Sequence, residues 1–319
     1  MRALVFERYG APERLMPRTL PIPQPRAGEL RVRVVATTVT RTDTATLRGH
    51  PFFARAMTGI LRPKMRTLGM DFAGVVDATG PDVARFQPGD RVFGLLPERF
   101  GAHAEYLCID SEAAVMPMPA NLDFDACVVG EGAWYANGTT RVLREGQRCL
   151  IYGASGAIGT AAIQLAKARG AHVTAVVGHR HVDLARSLGA DRTIDYQSVD
   201  FTALDETFDL VFDAAGKTSW FACRRLLSRG GIFSATDLGP WWSNLVLSAW
   251  FSMTGSARVR IPFPEDARGF LASLATLMAD GRFRGVFDRH YRLAEMVDAF
   301  RYVETGQKTG IVVVDVNDS

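Results

Sequence analysis

Disulfide and metal-thiolate chemistry have little to work with in this sequence. Its four cysteines, Cys108, Cys127, Cys149 and Cys223, stand far apart with no CxxC pair. Two of them sit in apolar, strand-like runs, the pattern of buried thiols in a reducing cytosol. Long hydrophobic runs are missing too. The nearest is residues 238–253, containing WWSNLVLSAWF, too short and too polar to span a bilayer. It reads either as a helix packed at a pocket or subunit contact or as a membrane-surface helix, and membrane contact is not expected. Surplus charge is small, +3 with Lys and Arg dispersed, which offers no nucleic-acid surface. None of the seven tyrosines opens a Tyr-x-x-x-Lys motif, which excludes the short-chain dehydrogenase mechanism. A GxSxG elbow is absent, as are internal repeats and low-complexity tracts. The opening MRALVFERYG reads as a short strand followed by charge rather than a secretory leader, so a cytoplasmic protein is expected.

What is present is an ordinary globular composition, 47% apolar and 22% charged over 319 residues, long enough for two domains. The chain is organised around residues 148–170, RCLIYGASGAIGTAAIQLAKARG. Cys149, Leu150, Ile151 and Tyr152 read as a buried parallel strand. Ile158, Ala161, Ala162, Leu165 and Ala166 recur on one helical face. Between them Gly153, Gly156 and Gly159 form a GxxGxxG turn. Such glycines allow a sharp turn, close approach of backbone to a phosphate, and tight helix–strand packing, with the amides at the helix start facing the anion. A glycine triplet alone is weak, but an apolar run at 171–177, then DLARSLGADRTIDY and FDLVFDAAG, continue the βαβαβ alternation of a dinucleotide-binding domain. The loop residues Gly153, Ser155, Gly156, Ala157 and Ile158, with Ala215 after the later strand, are the candidate cofactor contacts.

Before this stretch, residues 1–120 are β-rich, with alternating runs at 30–39, 71–78, 90–95 and 102–109 separated by Gly- and Pro-rich turns. They predict a partly open β-barrel. Residues 122–143 have helical spacing weakened by glycines. The doubly wound part then runs to about residue 256, with strands expected at 148–152, 172–177, 192–195, 208–213 and 231–235. The tail predicts helices at 266–279 and 293–304, a strand near Val286, and a last strand at 310–316. That last strand has no local partner and most simply returns to the first β domain.

Together, MRALVFERYG, GMDFAGVVDATG, FQPGDRVFG, IYGASGAIGTAAIQLAKARGA, SLGADRTIDY and RYVETGQKTG give a chain that resembles, nearly end to end, the zinc-less quinone oxidoreductase and enoyl reductase branch of the medium-chain dehydrogenase/reductase superfamily. The resemblance implies an α/β protein with two parts. Residues 1–120 and 257–319 would form a GroES-like β-barrel catalytic domain, and residues 121–256 a Rossmann doubly wound parallel sheet. It further implies hydride transfer in a cleft, and a homodimer formed through the sheet edge. In the superfamily's zinc alcohol dehydrogenases a Cys and a His-Glu pair occupy the positions that here read Thr40 and Met70-Asp71, and the lobe with four closely spaced cysteines is missing. Thr and Met are poor zinc ligands, so no metal is expected. Glu131 lies near a third ligand position and reads either as a helix-start acid or as a substrate-pocket group.

The nicotinamide cofactor is expected to be NADPH. An acid at the end of the second Rossmann strand would hold the 2′-hydroxyl of NAD, but here Gly178, His179, Arg180 and His181 follow Val177. A small residue followed by a cation suits a 2′-phosphate. The resemblance adds Tyr196, whose hydroxyl meets the same phosphate, and leaves Lys308 as the nearest cation to the closing glycine, because Ile311 stands where the family pattern has Lys or Arg. Without a metal, only hydrogen-bond donors can steady charge developing on the substrate oxygen, which suits quinones and α,β-unsaturated carbonyls. By resemblance Thr40, Thr42 and Asp43 border the nicotinamide, with Tyr135 and Trp134 on the helix facing it; Thr40, Asp43 and Tyr135 are the catalytic candidates. Arg41 reads either as a partner for an anionic substrate or as a solvated charge. Phe52, Phe53, Trp241, Trp242 and Trp250 are the aromatics available to a flat substrate, with Arg41, Phe52, Glu131, Trp134 and Trp241 as candidate pocket residues. Alternatives are a dedicated biosynthetic enoyl or carbonyl reductase with a large apolar substrate, or a non-catalytic NADPH-binding protein.

Overall fold

The computed structural model describes residues 1–52, 55–239, 242–254, 258–262 and 264–317, and for Met57 the backbone only. Two compact units divide the chain, residues 1–131 with 266–319, and residues 132–265. The sequence placed these breaks near 121 and 256.

In the first unit β1 (Arg2–Val5) pairs antiparallel with β2 (Met16–Thr19). The long strand β3 (Glu29–Val39) organises the rest. Its Leu30, Val32, Val34 and Ala36 point inward and are fully buried, as period-two alternation requires. On one edge β3 carries β4 (Asp71–Thr79), followed by β5 (Arg91–Leu95). Its other edge is shared: Glu29–Arg33 pair with β6 (Tyr106–Asp110). The short strand β7 (Val115–Pro117) extends the sheet from β5. Between β3 and β4 the chain forms α1 (Arg41–Arg48) and α2 (Arg55–Thr58); after β7 comes α3 (Phe124–Cys127), packed on β3 and β4. That packing keeps residues 121–131 with the first unit, so the division falls inside α4 (Gly130–Thr140) and not ahead of it.

The second unit is a six-stranded parallel sheet in the order β10-β9-β8-β11-β12-β13. Its strands are β8 (Arg148–Tyr152), β9 (His172–Val177), β10 (Arg192–Asp195), β11 (Phe208–Asp213), β12 (Leu227–Ala235) and β13 (Val259–Arg260). Numbered within the unit the order is 3-2-1-4-5-6, the doubly wound arrangement whose switch point lies between β8 and β11. Helices α5 (Ala157–Ala168), α6 (Val182–Ser187), α7 (Trp220–Cys223) and α8 (Ser243–Met253) connect it. Leu150, Val176, Phe208, Val211 and Phe233 fill its core with Phe201, Cys223 and Leu226.

The chain then returns to the first unit as α9 (Ala267–Ala279), β14 (Phe287–Arg292), α10 (Met296–Glu304) and β15 (Ile311–Asp315). Strand β15 pairs antiparallel with Ala36–Val39, the half of the β3 edge that β6 leaves open, and takes β14 on its other side. Flanked on both sides, its Val312, Val313 and Val314 are fully buried. The partner that the sequence lacked locally is β3.

Candidate active site

The second unit builds a cradle at its switch point. β8 ends at Tyr152, and the chain turns through Gly153 in the left-handed region (φ +75°), where a Cβ would stand 2.6 Å from the Ala215 Cβ. Ala215 in turn follows β11, so the two loops bordering the switch point touch. Gly159 sits tighter: a Cβ there would lie 2.2 Å from the Gly153 carbonyl oxygen and 2.6 Å from the Ala154 Cα. Gly156 is the opposite case. It N-caps α5 with no side-chain cap, and a Cβ would meet only the Gly153 oxygen at 3.7 Å. The first-turn amides of α5 therefore open beside bare backbone, with space an anion can occupy.

The Ala215 loop is held by a residue the sequence reading passed over. Asp213 ends β11 fully buried and accepts four backbone N–H groups, from Ala215 and Gly216 at Oδ1 and from Lys217 and Thr218 at Oδ2. The signal was available, since an acid closing the apolar run FDLVFD needs such partners to be buried. Asp213→Ala is expected to destabilise the second unit by roughly 3 kcal/mol, because buried amides lose a charged acceptor; urea unfolding with and without nucleotide measures it.

At the end of β9, Gly178 faces the Tyr196 hydroxyl, 3.3 Å from where a Cβ would stand. Arg180 is exposed, and among the described residues no ion pair holds it. His179 Nδ1 lies 3.5 Å from Asp195 Oδ2. Asp195 closes β10 and is the register partner of Val177, so an acid comes to this strand end from the neighbouring strand. Its carboxylate also accepts from Gln197 N and Ser198 Oγ.

The first unit gathers acids around the start of α1. Thr40 is the N-cap of α1: its Oγ1 accepts from Asp43 N and donates to Asp43 Oδ2, which also accepts from Thr40 N. Thr40-x-x-Asp43 is a capping box with Asp in place of Glu, a local signal that predicts this helix. Asp43 is fully buried, and its Oδ1 accepts from Gly69 N. Asp71, also buried, accepts from Glu131 N at 2.9 Å and from Thr38 Oγ1 at 3.1 Å, tying β3 and β4 to the start of α4. Burial pushes the Asp71 carboxyl up to about 7.

Glu131 stands in the midst of these groups. It is buried, in side-chain hydrogen-bond contact with Thr42 and Thr40, and pushed up to about 8 by loss of solvent and then by the charges of Asp43 and Asp71. Lys308 is half-buried beside it, with Nζ donating to the Gly310 carbonyl at 2.5 Å, and burial lowers it to about 8. Arg41 contributes charge to the same group. Near pH 7 the cluster thus holds a neutral Glu131 next to a cationic Lys308. His103 backs it: loss of solvent lowers its pKa, Nε2 meets the Thr38 carbonyl at 2.8 Å, and Nδ1 has no hydrogen-bond partner among the described residues.

Residues 26–120 match the family described as Alcohol dehydrogenase GroES-like domain, and residues 188–314 the family described as Zinc-binding dehydrogenase. The trans-enoyl reductase pgmF of Aspergillus terreus is 31% identical over 84% of this chain and 81% of its own length. The chain belongs to the quinone oxidoreductase and enoyl reductase branch of the medium-chain dehydrogenase/reductase superfamily. The quinone oxidoreductase of Coxiella burnetii superposes with a TM-score of 0.85 at 27% identity, covering 99% of each chain. A Mycocerosic acid synthase-like polyketide synthase of Mycobacterium tuberculosis is 30% identical over 92% of this chain, but the chain spans only 14% of that protein.

Within this medium-chain reductase fold most of the sequence-predicted residues fall into three groups. Gly153, Ser155, Gly156, Ala157, Ile158 and Ala215 share the switch-point cradle, and Gly178, His179, Arg180 and Tyr196 share the end of β9. Thr40, Arg41, Asp43, Glu131 and Lys308 share the acid cluster of the first unit. Tyr135 and Trp134 lie on α4 in the second unit, where Trp134 Nε1 donates to the Glu265 carbonyl at 3.2 Å. Phe52 stands 69% exposed with the Arg55 guanidinium over its ring. Phe53 and Trp241 lie outside the described residues. Asp71 was missed because its partners are distant in sequence. Elsewhere, Asp125, His290 and Asp315 place ligand atoms within 4.8 Å of one another on half-exposed surface, with His290 Nδ1 3.5 Å from Asp125 Oδ2.

Proposed function

We propose that the protein is an NADPH-dependent, zinc-independent reductase that delivers hydride to a quinone or an α,β-unsaturated carbonyl. The observation that carries this reading is the buried Glu131 carboxyl set among Asp43, Asp71 and Lys308, near the third-ligand position of the superfamily's zinc enzymes, where loss of solvent favours its protonated form. A zinc ion does not fit these residues. The Thr40 hydroxyl is engaged in the α1 cap, and Asp71 is engaged by the α4 amide and Thr38. Met70, buried, offers only a thioether.

The nucleotide does fit its cradle. The open space over Gly156 and the uncapped amides of α5 suit a diphosphate, and Arg180 with Tyr196 suits a 2′-phosphate. When bound, NADPH supplies the hydride. The chain's own part is to bind it, to hold a donor toward the substrate oxygen and to provide the proton that balances the reduction. Thr40 and Thr42 orient the Glu131 carboxyl, Asp43 fixes Thr40, and Glu131 releases the proton, which Lys308 can replace. Activated substrates suit such a site, since no Lewis acid is required of it.

NADPH consumption over a panel of quinones, enones and enoyl thioesters tests the reading, and nucleotide binding without turnover on any of them would sink it. Activity is expected to survive exhaustive chelation. Arg180→Ala should lower the kcat/KM ratio for NADPH over NADH about tenfold to a hundredfold, the worth of charge-assisted hydrogen bonds to phosphate. An unchanged ratio would remove Arg180 from the phosphate site.

A further inference from the structure

Helix α8 is unlike the other long helices of the chain. On α10 the apolar residues Met296, Ala299, Phe300 and Val303 are buried and the charged Asp298, Arg301 and Glu304 face out. On α8 there is no charged residue. Its inner face packs through Asn244, Leu247 and Phe251, with Phe251 against Trp220 at 5.4 Å. Its outer face, at helical spacing, is Trp242, Leu245, Val246, Ala249, Trp250 and Met253, all exposed, with Trp242, Val246, Trp250 and Met253 more than half so. An apolar stripe of this size on the outside of a helix marks a surface made to be covered.

The surroundings say what covers it. Residues 217–262 hold six cations, Lys217, Arg224, Arg225, Arg229, Arg258 and Arg260, against one acid, Asp237, a surplus of five in a chain whose total is +3. All six are exposed, and among the described residues none is in an ion pair. Asp237 is occupied in accepting from Gly239 N and Asn244 Nδ2 at the entry to α8. Arg258 and Arg260 flank β13, against which α8 packs. Arg258 lines one cavity with Trp220 and Arg224, and Arg260 lines another with Ser248 of α8. Guanidinium groups with no ion-pair partner among the described residues thus lie on the elements beside α8, and Glu265, which shares the cavity with Arg260, pairs with Arg141.

We propose that the outer face of α8 and its flanking arginines form a docking surface for an anionic lipid bilayer. Tryptophan at the rim of an apolar face seats at the boundary of headgroups and acyl chains, and arginine beside it meets lipid phosphate. A second copy of the chain is the weaker occupant. A twofold contact sets a patch against itself, bringing the same arginines together without an acid to separate them. The sequence left a packed helix and a membrane-surface helix as the two readings; Leu245, Val246, Ala249, Trp250 and Met253 stay exposed beside the described residues of their unit, which favours the second. The proposal is independent of the substrate.

The test is co-sedimentation of the full chain with vesicles of phosphatidylcholine alone or mixed with an equal part of phosphatidylglycerol, together with sedimentation equilibrium without lipid. The expected result is salt-sensitive binding to the mixed vesicles only, with a blue shift of tryptophan emission. Trp250→Glu should weaken it at least about tenfold, and Arg258→Gln with Arg260→Gln about fivefold for each charge removed. All three substitutions are on exposed residues, and circular dichroism checks that the variants are folded. No binding to the mixed vesicles would overturn the proposal. So would a Trp250→Glu variant that loses self-association while the wild-type chain shows no preference for anionic lipid.

Discussion

Glu131→Gln is expected to lower kcat about a hundredfold to ten-thousandfold, the usual contribution of a positioned general acid, with KM little changed. Glutamine keeps the shape and can still meet Thr42 and Thr40, so the loss isolates the proton. The wild-type kcat should fall as pH rises through about 8, where Glu131 ionises, and that limb should be absent from the variant's residual rate. A variant that retains the wild-type rate and pH profile would mean that the proton comes from elsewhere. Stability gives a second readout. Glu131 and Asp71 have folded pKa values above their unfolded ones, so between about pH 4 and about pH 8 the folded state binds more protons and stability declines as pH rises, by about 1.4 kcal/mol per unit for each acid where the difference is full. Lys308 has the opposite sign: its folded value is lowered from 10.5 to about 8, so above about pH 8 the unfolded state binds the extra proton and stability recovers. These groups together predict a stability minimum near pH 8, with Glu131→Gln making the acid-side limb less steep and Lys308→Met flattening the alkaline one.

Gly159→Ala should separate packing from ligand contact when set beside Gly156→Ala. At Gly159 a methyl group meets backbone from two directions, the Gly153 carbonyl and Ala154 Cα, neither of which can swing aside, so α5 must move off its turn. The cost is about 1–3 kcal/mol or more, and nucleotide binding should fall at least about a hundredfold, about 2.7 kcal/mol or more. At Gly156 a methyl has room, so the melting temperature should hold while it stands where a phosphate would approach. Thermal melts with NADPH fluorescence titration read both. If Gly156→Ala binds NADPH as tightly as wild type, the diphosphate does not lie over that residue.

The parallel sheet was readable in the sequence because its strands are apolar runs buried on both faces, and those expected at 148–152, 172–177, 192–195 and 208–213 are the strands observed. The acid cluster was only half readable. Thr40, Asp43 and Glu131 could be singled out by position, yet what makes Glu131 hold a proton is burial, then the charges of Asp43 and of Asp71, and no local pattern reports a burial built by segments as far apart as Asp71 and Glu131. The strand end at Val177 shows the same limit. Scanning forward from it finds no acid before Asp183, whereas the sheet brings Asp195 alongside by register. Conversely, α1 had a local signal, the Thr40-x-x-Asp43 box. Helix α4 was blurred by its glycines, and the division between units falls within it because Asp71 holds its first turn.

The sharing of one β3 edge between β6 and β15 also sets an order of events. During synthesis the Ala36–Val39 half of that edge has no mate until β15 is made, after the whole second unit has emerged. The second unit contains all its own sheet partners and can close first, whereas the first must keep four residues of unpaired strand from other edges meanwhile. Deleting β15 should therefore leave a folded nucleotide-binding unit attached to an aggregation-prone sheet.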